Sequence, residues 1–312
     1  MATPAQAPPA AVYIAGPTAV GKSEIAILLA ERINGEIISV DSMQVYRGLD
    51  IGTAKPSLAE QQRVRHHLID VVGLEESFDA AQFVRLARAA EAGIRARGRV
   101  PIFCGGTGLY IQAFLGGLGE APPADPELRA QLEAAEPETL LAELKERDPI
   151  THEQIDRKNL RRVVRALEVI RLTGKPFSSQ RAAWDASASS VPNFFGIARL
   201  PADLRDRINR RVDRMFDLGL VEETRGLIER GLTTNPTPMQ AIGYRQVVEY
   251  LQGDRSLADT IELVKVKTRQ FAKRQMTWFR KAPGVQWIEL DATTNFAGVV
   301  ETLANRRSRL SA

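Results

Sequence analysis

Residues 16–23 read GPTAVGKS, and the reading of this stretch decides the fold. It fits G-x-x-x-x-G-K-[ST], with Gly16, Gly21, Lys22 and Ser23 at the fixed positions. In such a loop glycines let backbone N–H groups approach phosphate oxygens, the lysine supplies charge and the hydroxyl reaches Mg²⁺. The motif carries that meaning only between a strand and a helix. Both flanks qualify: AVYIAG (11–16) is a short apolar run ending on the loop, and KSEIAILLAERI (22–33) has helical periodicity. The helix would turn its positive dipole end toward the anion.

Working outward, GEIISVDSMQVY (35–46) holds a second β-branched run, which makes a βαβ unit with parallel strands. HHLIDVV (66–72) reads as a further strand. DAAQFVRLARAAEAGIRARG (79–98) reads as an amphipathic helix capped by Asp79, and VPIFCGGTGLY (100–110) as a strand running into a glycine turn. This is the pattern of an α/β fold, a doubly wound parallel sheet around a phosphate loop. At LGGLGEAPPADPEL (115–128) Gly and Pro crowd together, and a charged, helical stretch follows. We read residues 122–192 as a mostly helical insertion, 11–121 and 193–312 as the core, and 1–10 as a flexible tail. FFGIARL (194–200) and VQWIELD (285–291) complete the strands; ADLRDRINRRVDRMFDLG (202–219) and VEETRGLIERG (221–231) read as helices, the latter closed by Gly231.

The chain of 312 residues is 44% hydrophobic and 26% charged, near the averages of globular proteins, which excludes a disordered or fibrous class. Its 42 Lys+Arg against 38 Asp+Glu leave a net charge of +4, so clustering of the cations carries more information than their sum. One cysteine, Cys104, excludes an internal disulfide and suits a reducing cytoplasm. No apolar run approaches the ~20 residues of a membrane span. A cytoplasmic protein with no membrane partner, and a monomer, is the expectation.

Asp41 ends the run IISVD, which in a doubly wound sheet brings it to the crevice beside the first loop. Three roles stay open for it on the residues alone: an acid holding Mg²⁺, a general base, or a cap of the next turn. GGTG (105–108) either faces the same crevice with Thr107 or is a tight turn. Two basic stretches stand out. DRKNLRRVVRALEVIR (156–171) sets Leu160, Val163, Val164, Leu167 and Ile170 at helical spacing and leaves Arg161, Arg162 and Arg165 toward another face. KVKTRQFAKRQMTWFRK (265–281) interleaves cations with Phe271, Trp278 and Phe279, and no Asp or Glu occurs from 263 to 288. Such a surface neutralises phosphates and stacks on bases. His66, His67 and His152 lack metal-ligand spacing, and Cys104 reads as packing. A nucleotide kinase with an Arg-rich lid also fits the loop, but a small-metabolite kinase has no need of the second basic stretch. A protein that only binds nucleic acid leaves the lysine and acid unexplained.

GPTAVGKSEIA, ISVDSMQVYRGLDIGTAKP, GGTGLYIQA, RRVVRALEV, QAIGYRQ and KRQMTWFRK resemble, in order, the motifs of the tRNA dimethylallyltransferases, also called tRNA isopentenylpyrophosphate transferases. The resemblance spans about residues 11–290 and implies the bacterial form, without the C-terminal zinc finger of some eukaryotic members. It implies transfer of a dimethylallyl group from dimethylallyl diphosphate to N6 of adenosine 37 in tRNA, with diphosphate leaving and Mg²⁺ as cofactor. Gly16, Pro17, Thr18, Ala19, Val20, Gly21, Lys22 and Ser23 would hold the diphosphate, Ser23 through the metal. Asp41 would be the general base, and Thr18 and an arginine of RINRRVD, Arg211 over Arg207, would complete the catalytic set. It further implies that Asp41, Ser42, Met43 and Gln44 hold the extruded base. Thr107, Arg129, Arg161, Arg162, Val163, Val164 and Arg165 would meet the tRNA, as would Gln240, Ala241, Ile242, Gly243, Tyr244 and Arg245. So would Lys273, Arg274, Gln275, Met276, Thr277, Trp278, Phe279 and Arg280, while the insertion grips the anticodon stem-loop.

Overall fold

The computed structural model describes residues 10–119, 121–180 and 191–310. The tail read over residues 1–10 therefore lies outside the described residues, save residue 10. Residues 181–190, with the SASS (187–190) of SASSVPN at the end of the insertion, lie outside them too.

Among the described residues one parallel sheet of six strands forms, in the order β3-β2-β4-β1-β5-β6. The strands are β1 (Val12–Ala15), β2 (Gly35–Val40), β3 (His66–His67), β4 (Val100–Gly105), β5 (Phe194–Arg199) and β6 (Gln286–Leu290). Helices α1 (Lys22–Ile33), α2 (Leu58–Arg63), α3 (Ala80–Ala96) and α4 (Gly108–Gly116) alternate with the first four. After β5 come α10 (Pro201–Asp217), α11 (Leu220–Glu229), α12 (Tyr244–Leu251) and α13 (Leu257–Arg280), and α14 (Phe296–Leu310) follows β6. The intervening α5 (Pro126–Glu133), α6 (Pro137–Arg147), α7 (Pro149–Gln154), α8 (Leu160–Thr173) and α9 (Phe177–Gln180) make the helical insertion.

Period-two alternation gives the sheet two apolar faces, as a doubly wound fold requires. Val12, Ile14, Ile102, Cys104, Phe195 and Ile197 share a core with Ile25, Leu29 and Ala30 of α1 and with Val299, Val300 and Leu303 of α14. Burial of each such Leu or Ile is worth ~1.5–3 kcal/mol. On the other face Tyr13 stacks on Phe103 at 4.9 Å, and α3 sets Phe83 against Tyr110 at 4.5 Å. The α3 helix is opened by a reciprocal cap between Asp79 and Gln82.

One strand is far shorter than the sequence suggests. HHLIDVV pairs with β2 only at His66 and His67, because Leu68 and Asp70 adopt positive φ of 62° and 54° and turn the chain out of the ladder. Val72 then makes a lone bridge to Tyr46.

The chain divides into two compact units, residues 1–111 with 186–312 and residues 112–185. The division falls inside α4, earlier than the Gly/Pro stretch at 115–128 and than the boundary read at 122. The second unit has its own core of Leu132, Leu140, Leu144, Val163, Val164, Leu167 and Ile170. Leu160, read as part of that apolar face, is instead exposed in the first turn of α8. Asp148, buried in the same unit, accepts from Thr151 and Ser178 and so ties α7 to α9.

Candidate active site

The pairing register sets the site. Ala15 and Val40 both lie opposite Gly105, so three strands end level and Gly16, Asp41 and Gly106 emerge side by side. This is the carboxyl edge of the sheet, where open α/β folds bind ligands.

The carbonyls of the 16–23 loop are held by cations, one of its own and two from outside. Lys22 Nζ donates to the Pro17 carbonyl at 2.6 Å, Arg207 Nε to Ala19 O at 2.9 Å and Arg199 Nε to Val20 O at 2.9 Å. With those carbonyls claimed, the loop is fixed without help from a ligand. Gly21, at φ 110°, is the N-cap of α1, and a Cβ there would come within 2.9 Å of the Phe296 ring. Arg211 Nη1 reaches Thr18 Oγ1 at 3.4 Å. Burial lowers the pKa of Arg211, and so does the charge of Arg207. Burial also pushes Lys22 down to about 8, against the pull of Cys104 and Asp41. Cations crowded beside so few acids make a local positive potential, the field that an anion needs.

Asp41 sits in an Asx-type turn. Its Oδ1 accepts from the N–H groups of Met43 at 2.8 Å and Gln44 at 3.3 Å. Burial raises its carboxyl above the ordinary value of 3.8, more than those two bonds and the charge of Lys22 lower it. A half-buried carboxylate with raised basicity suits proton acceptance. Thr107 Oγ1 accepts from Ser42 N–H at 3.1 Å and so fastens the turn to the GGTG loop. Cys104 lies beneath, its thiol pushed by burial up to about 11.

Several residues named as tRNA contacts point inward instead. Gln44 is spent on its own loop, accepting from Ser39 Oγ at 2.9 Å and donating to the Thr53 and Ala54 carbonyls. Gln275 of α13 accepts from Thr18 N–H at 2.8 Å and donates to Gly106 O at 3.0 Å. A Cβ on Gly106 would fall 2.1 Å from that amide, so the absence of a side chain there is what lets α13 close on both loops. Ala241, Tyr244 and Phe279 are buried, Gly243 caps α12 at φ 105°, and Ile242 packs with Ile208 and Val212. Val163 and Val164 are core residues of the second unit. A contiguous motif on a helix necessarily sends part of its length into the core.

What stays outside is basic. Lys273, Arg274, Thr277 and Trp278 line a shallow groove on α13 with Gln270 and Lys281, and Arg280 is exposed beside it. Met276 is half-buried. Arg274 lies 5.8 Å over the Phe271 ring. Of the earlier cations of this helix, Lys265 is neutralised by Asp213 and Glu262, Arg269 donates to the neutral amide of Asn209, and Lys267 is exposed. Gln240, at the end of a 3-10 turn (Pro238–Gln240), and Arg245, in the first turn of α12, are exposed, Arg245 paired with Glu249. In the second unit Arg161 and Arg162 are exposed, whereas Arg129 and Arg165 both donate to Glu168 Oε2, at 2.7 and 2.6 Å. Arg199 and Glu223 carry site geometry that sequence reasoning missed, and within the second unit Glu168 holds Arg129 and Arg165. Only Glu168 left a signal, three residues after Arg165.

No helix among the described residues is long and apolar enough to cross a membrane. The family model described as IPP transferase matches residues 44–282. The chain is 46% identical to a tRNA dimethylallyltransferase of Trichlorobacter lovleyi, across 90% of this chain and 93% of that protein. It is similar to the crystal structure of a tRNA isopentenylpyrophosphate transferase of Bacillus halodurans, with a TM-score of 0.71, 40% identity and coverage of 97% and 98%. It is also similar to a eukaryotic dimethylallyltransferase acting on tRNA, with a TM-score of 0.77, 28% identity and coverage of 96% and 77%. With its phosphate loop, its acid at the sheet edge and these relatives, the chain belongs to the IPP transferase family, that of the prenyltransferases acting on tRNA.

Proposed function

We propose that this chain transfers a dimethylallyl group from dimethylallyl diphosphate to N6 of adenosine 37 in tRNA and releases diphosphate. The observation that carries the reading is the level placement of Asp41 beside the 16–23 loop, with Lys22 and Arg211 at that loop. An exocyclic adenine amine is a weak nucleophile, its lone pair shared with the ring. It has to be positioned and relieved of a proton as the C–N bond forms, and Asp41 takes that proton. The C–O bond to the diphosphate breaks in the same displacement. Lys22, Arg211, Thr18 and the loop N–H groups stabilise the charge that develops on the leaving group.

Mg²⁺ fits here by the chemistry of its donors. Ser23, exposed in the first turn of α1, would hold the ion through its hydroxyl, with oxygens of the substrate and water as its other donors. When bound, the ion would neutralise part of the diphosphate charge. The target base leaves the anticodon-loop stack to reach this edge, at less cost than from a duplex. The exposed cations of α13, with Arg161 and Arg162, neutralise tRNA phosphates.

The test is a transfer assay with Mg²⁺, dimethylallyl diphosphate and unmodified tRNA bearing A37, read by nucleoside mass spectrometry, with free AMP as competing acceptor. Prenylated A37 supports the reading. Consumption of ATP with phosphorylation of a small acceptor, or prenylation of AMP alone, refutes it.

A further inference from the structure

The QAIGYRQ motif is assigned to the tRNA by resemblance, yet its tyrosine is fully buried. The Tyr244 hydroxyl donates to Glu223 Oε1 at 2.6 Å and accepts from Gly52 N–H at 3.0 Å. Glu223, from α11, also accepts from Ile51 N–H at 3.0 Å through each carboxylate oxygen. Two successive amides of the DIGTAKP loop thus end on one tyrosine–glutamate pair. There is no slack in the contact, because a Cβ on Gly52 would lie 2.5 Å from the Tyr244 ring.

The next residues of this loop continue the chain of bonds. The Thr53 and Ala54 carbonyls accept from the Gln44 amide at 3.2 and 3.3 Å, and Gln44 N–H donates to Asp41 Oδ1 at 3.3 Å. Hydrogen bonds, joined through the backbone of residues 51–54 and through Gln44 itself, therefore link α11 and α12 to the carboxylate. Lys55 ties the same loop separately to Tyr46 O and Asp50, at 2.9 and 2.6 Å, so loss of the tyrosine hydroxyl loosens residues 51–54 without freeing the whole loop.

We propose that Tyr244 and Glu223 are positioning residues for the transfer, setting the Asp41 carboxylate through the 51–54 loop and Gln44. The proposal rests on Asp41 as the base. A proton acceptor displaced by ~1 Å costs as much as ~10²-fold in rate, which is the leverage such a support holds.

Tyr244→Phe keeps the ring and removes both hydrogen bonds. In the protein alone, amide exchange at Ile51 and Gly52 should quicken about tenfold. In the transfer assay kcat should fall about tenfold, while affinity for inorganic pyrophosphate stays within about twofold. The acid limb of kcat/KM should move, although the groups facing Asp41 (Lys22 from α1, Cys104 from β4, Tyr110 from α4) are unchanged. Tyr244→Phe combined with Gln44→Ala should lose less than the product of the single losses, since both act along one path. Glu223→Gln, which keeps an acceptor for Ile51, should retain more activity than Glu223→Ala. Unchanged exchange, multiplicative losses, or equal losses in kcat and pyrophosphate affinity would overturn the proposal. Exchange is read without substrates, so the anchoring and the proposed reaction fail separately.

Discussion

Strand β2 carries two carboxylates, Glu36 near its start and Asp41 just past its end, and the chain treats them in opposite ways. Glu36 is buried and answered. His67 Nε2 lies 2.6 Å away, and Arg97 donates through two nitrogens at 3.0 and 2.7 Å. Burial alone would push this acid up, but the bonds and charges of Arg97 and His67 hold it at about 2. Asp41, half-buried, has two backbone N–H groups and one nearby lysine, and the desolvation wins. The amino edge of the sheet is neutralised for stability; the carboxyl edge is left charged and under-compensated, as a site awaiting ligands must be.

The largest expected effect tests the carboxyl edge. Asp41→Asn keeps an acceptor for Met43 and Gln44 but cannot take a proton, so transfer should fall about 10³-fold. A folded-state pKa above the unfolded one makes the ionised form of Asp41 a cost to folding above its ordinary 3.8. The variant should therefore melt no lower than the parent at neutral pH. A loss of activity matched by a loss of Tm would break the contrast.

Glu36→Ala is the converse, expected to cost about 2 kcal/mol because it removes the charge-assisted hydrogen bonds that the buried carboxylate makes to His67 and to the exposed Arg97. The folded fraction should keep its kcat. The sign of the pH dependence follows from the depressed value: the Glu36 contribution is complete above the ordinary 4.5 and is lost as pH falls toward about 2. Acid unfolding monitored by circular dichroism in parent and variant isolates it.

A smaller effect concerns Lys22. Held at about 8 when free, it sheds its proton as pH rises through that value, and a bound diphosphate draws the proton back. Pyrophosphate affinity should drop severalfold between pH 7 and 9, with proton uptake visible by calorimetry in buffers of different ionisation heat. Affinity flat across that range would mean the lysine charge is not used. Smallest of all, Lys273→Ala and Arg274→Ala should each lower the slope of log tRNA affinity against log salt by about one, and Val163→Ala should leave it unchanged.

How much of this was legible in the sequence follows from range. Period-two and 3.6-residue patterns are local, so β1, α1, β4 and the phosphate loop could be read directly. The failure at HHLIDVV came from positive φ at Leu68 and Asp70, residues with no glycine or proline to flag the turn. Motif matching named the right segments at the site but could not assign inward and outward sides. Lys273 and Arg274 face solvent while Gln275 holds Thr18 and Gly106. Glu223 was invisible because its partners, the Ile51 backbone N–H and the Tyr244 hydroxyl, are distant in sequence, which no local pattern records.

The most direct measurement is a structure of the chain with a non-reactive dimethylallyl diphosphate analogue, Mg²⁺ and an anticodon stem-loop bearing A37. We expect the diphosphate within residues 16–23 and the Asp41 carboxylate in hydrogen-bond contact with N6 of an extruded adenine. A carboxylate turned away from the base and bound to the metal of a nucleoside triphosphate would contradict it.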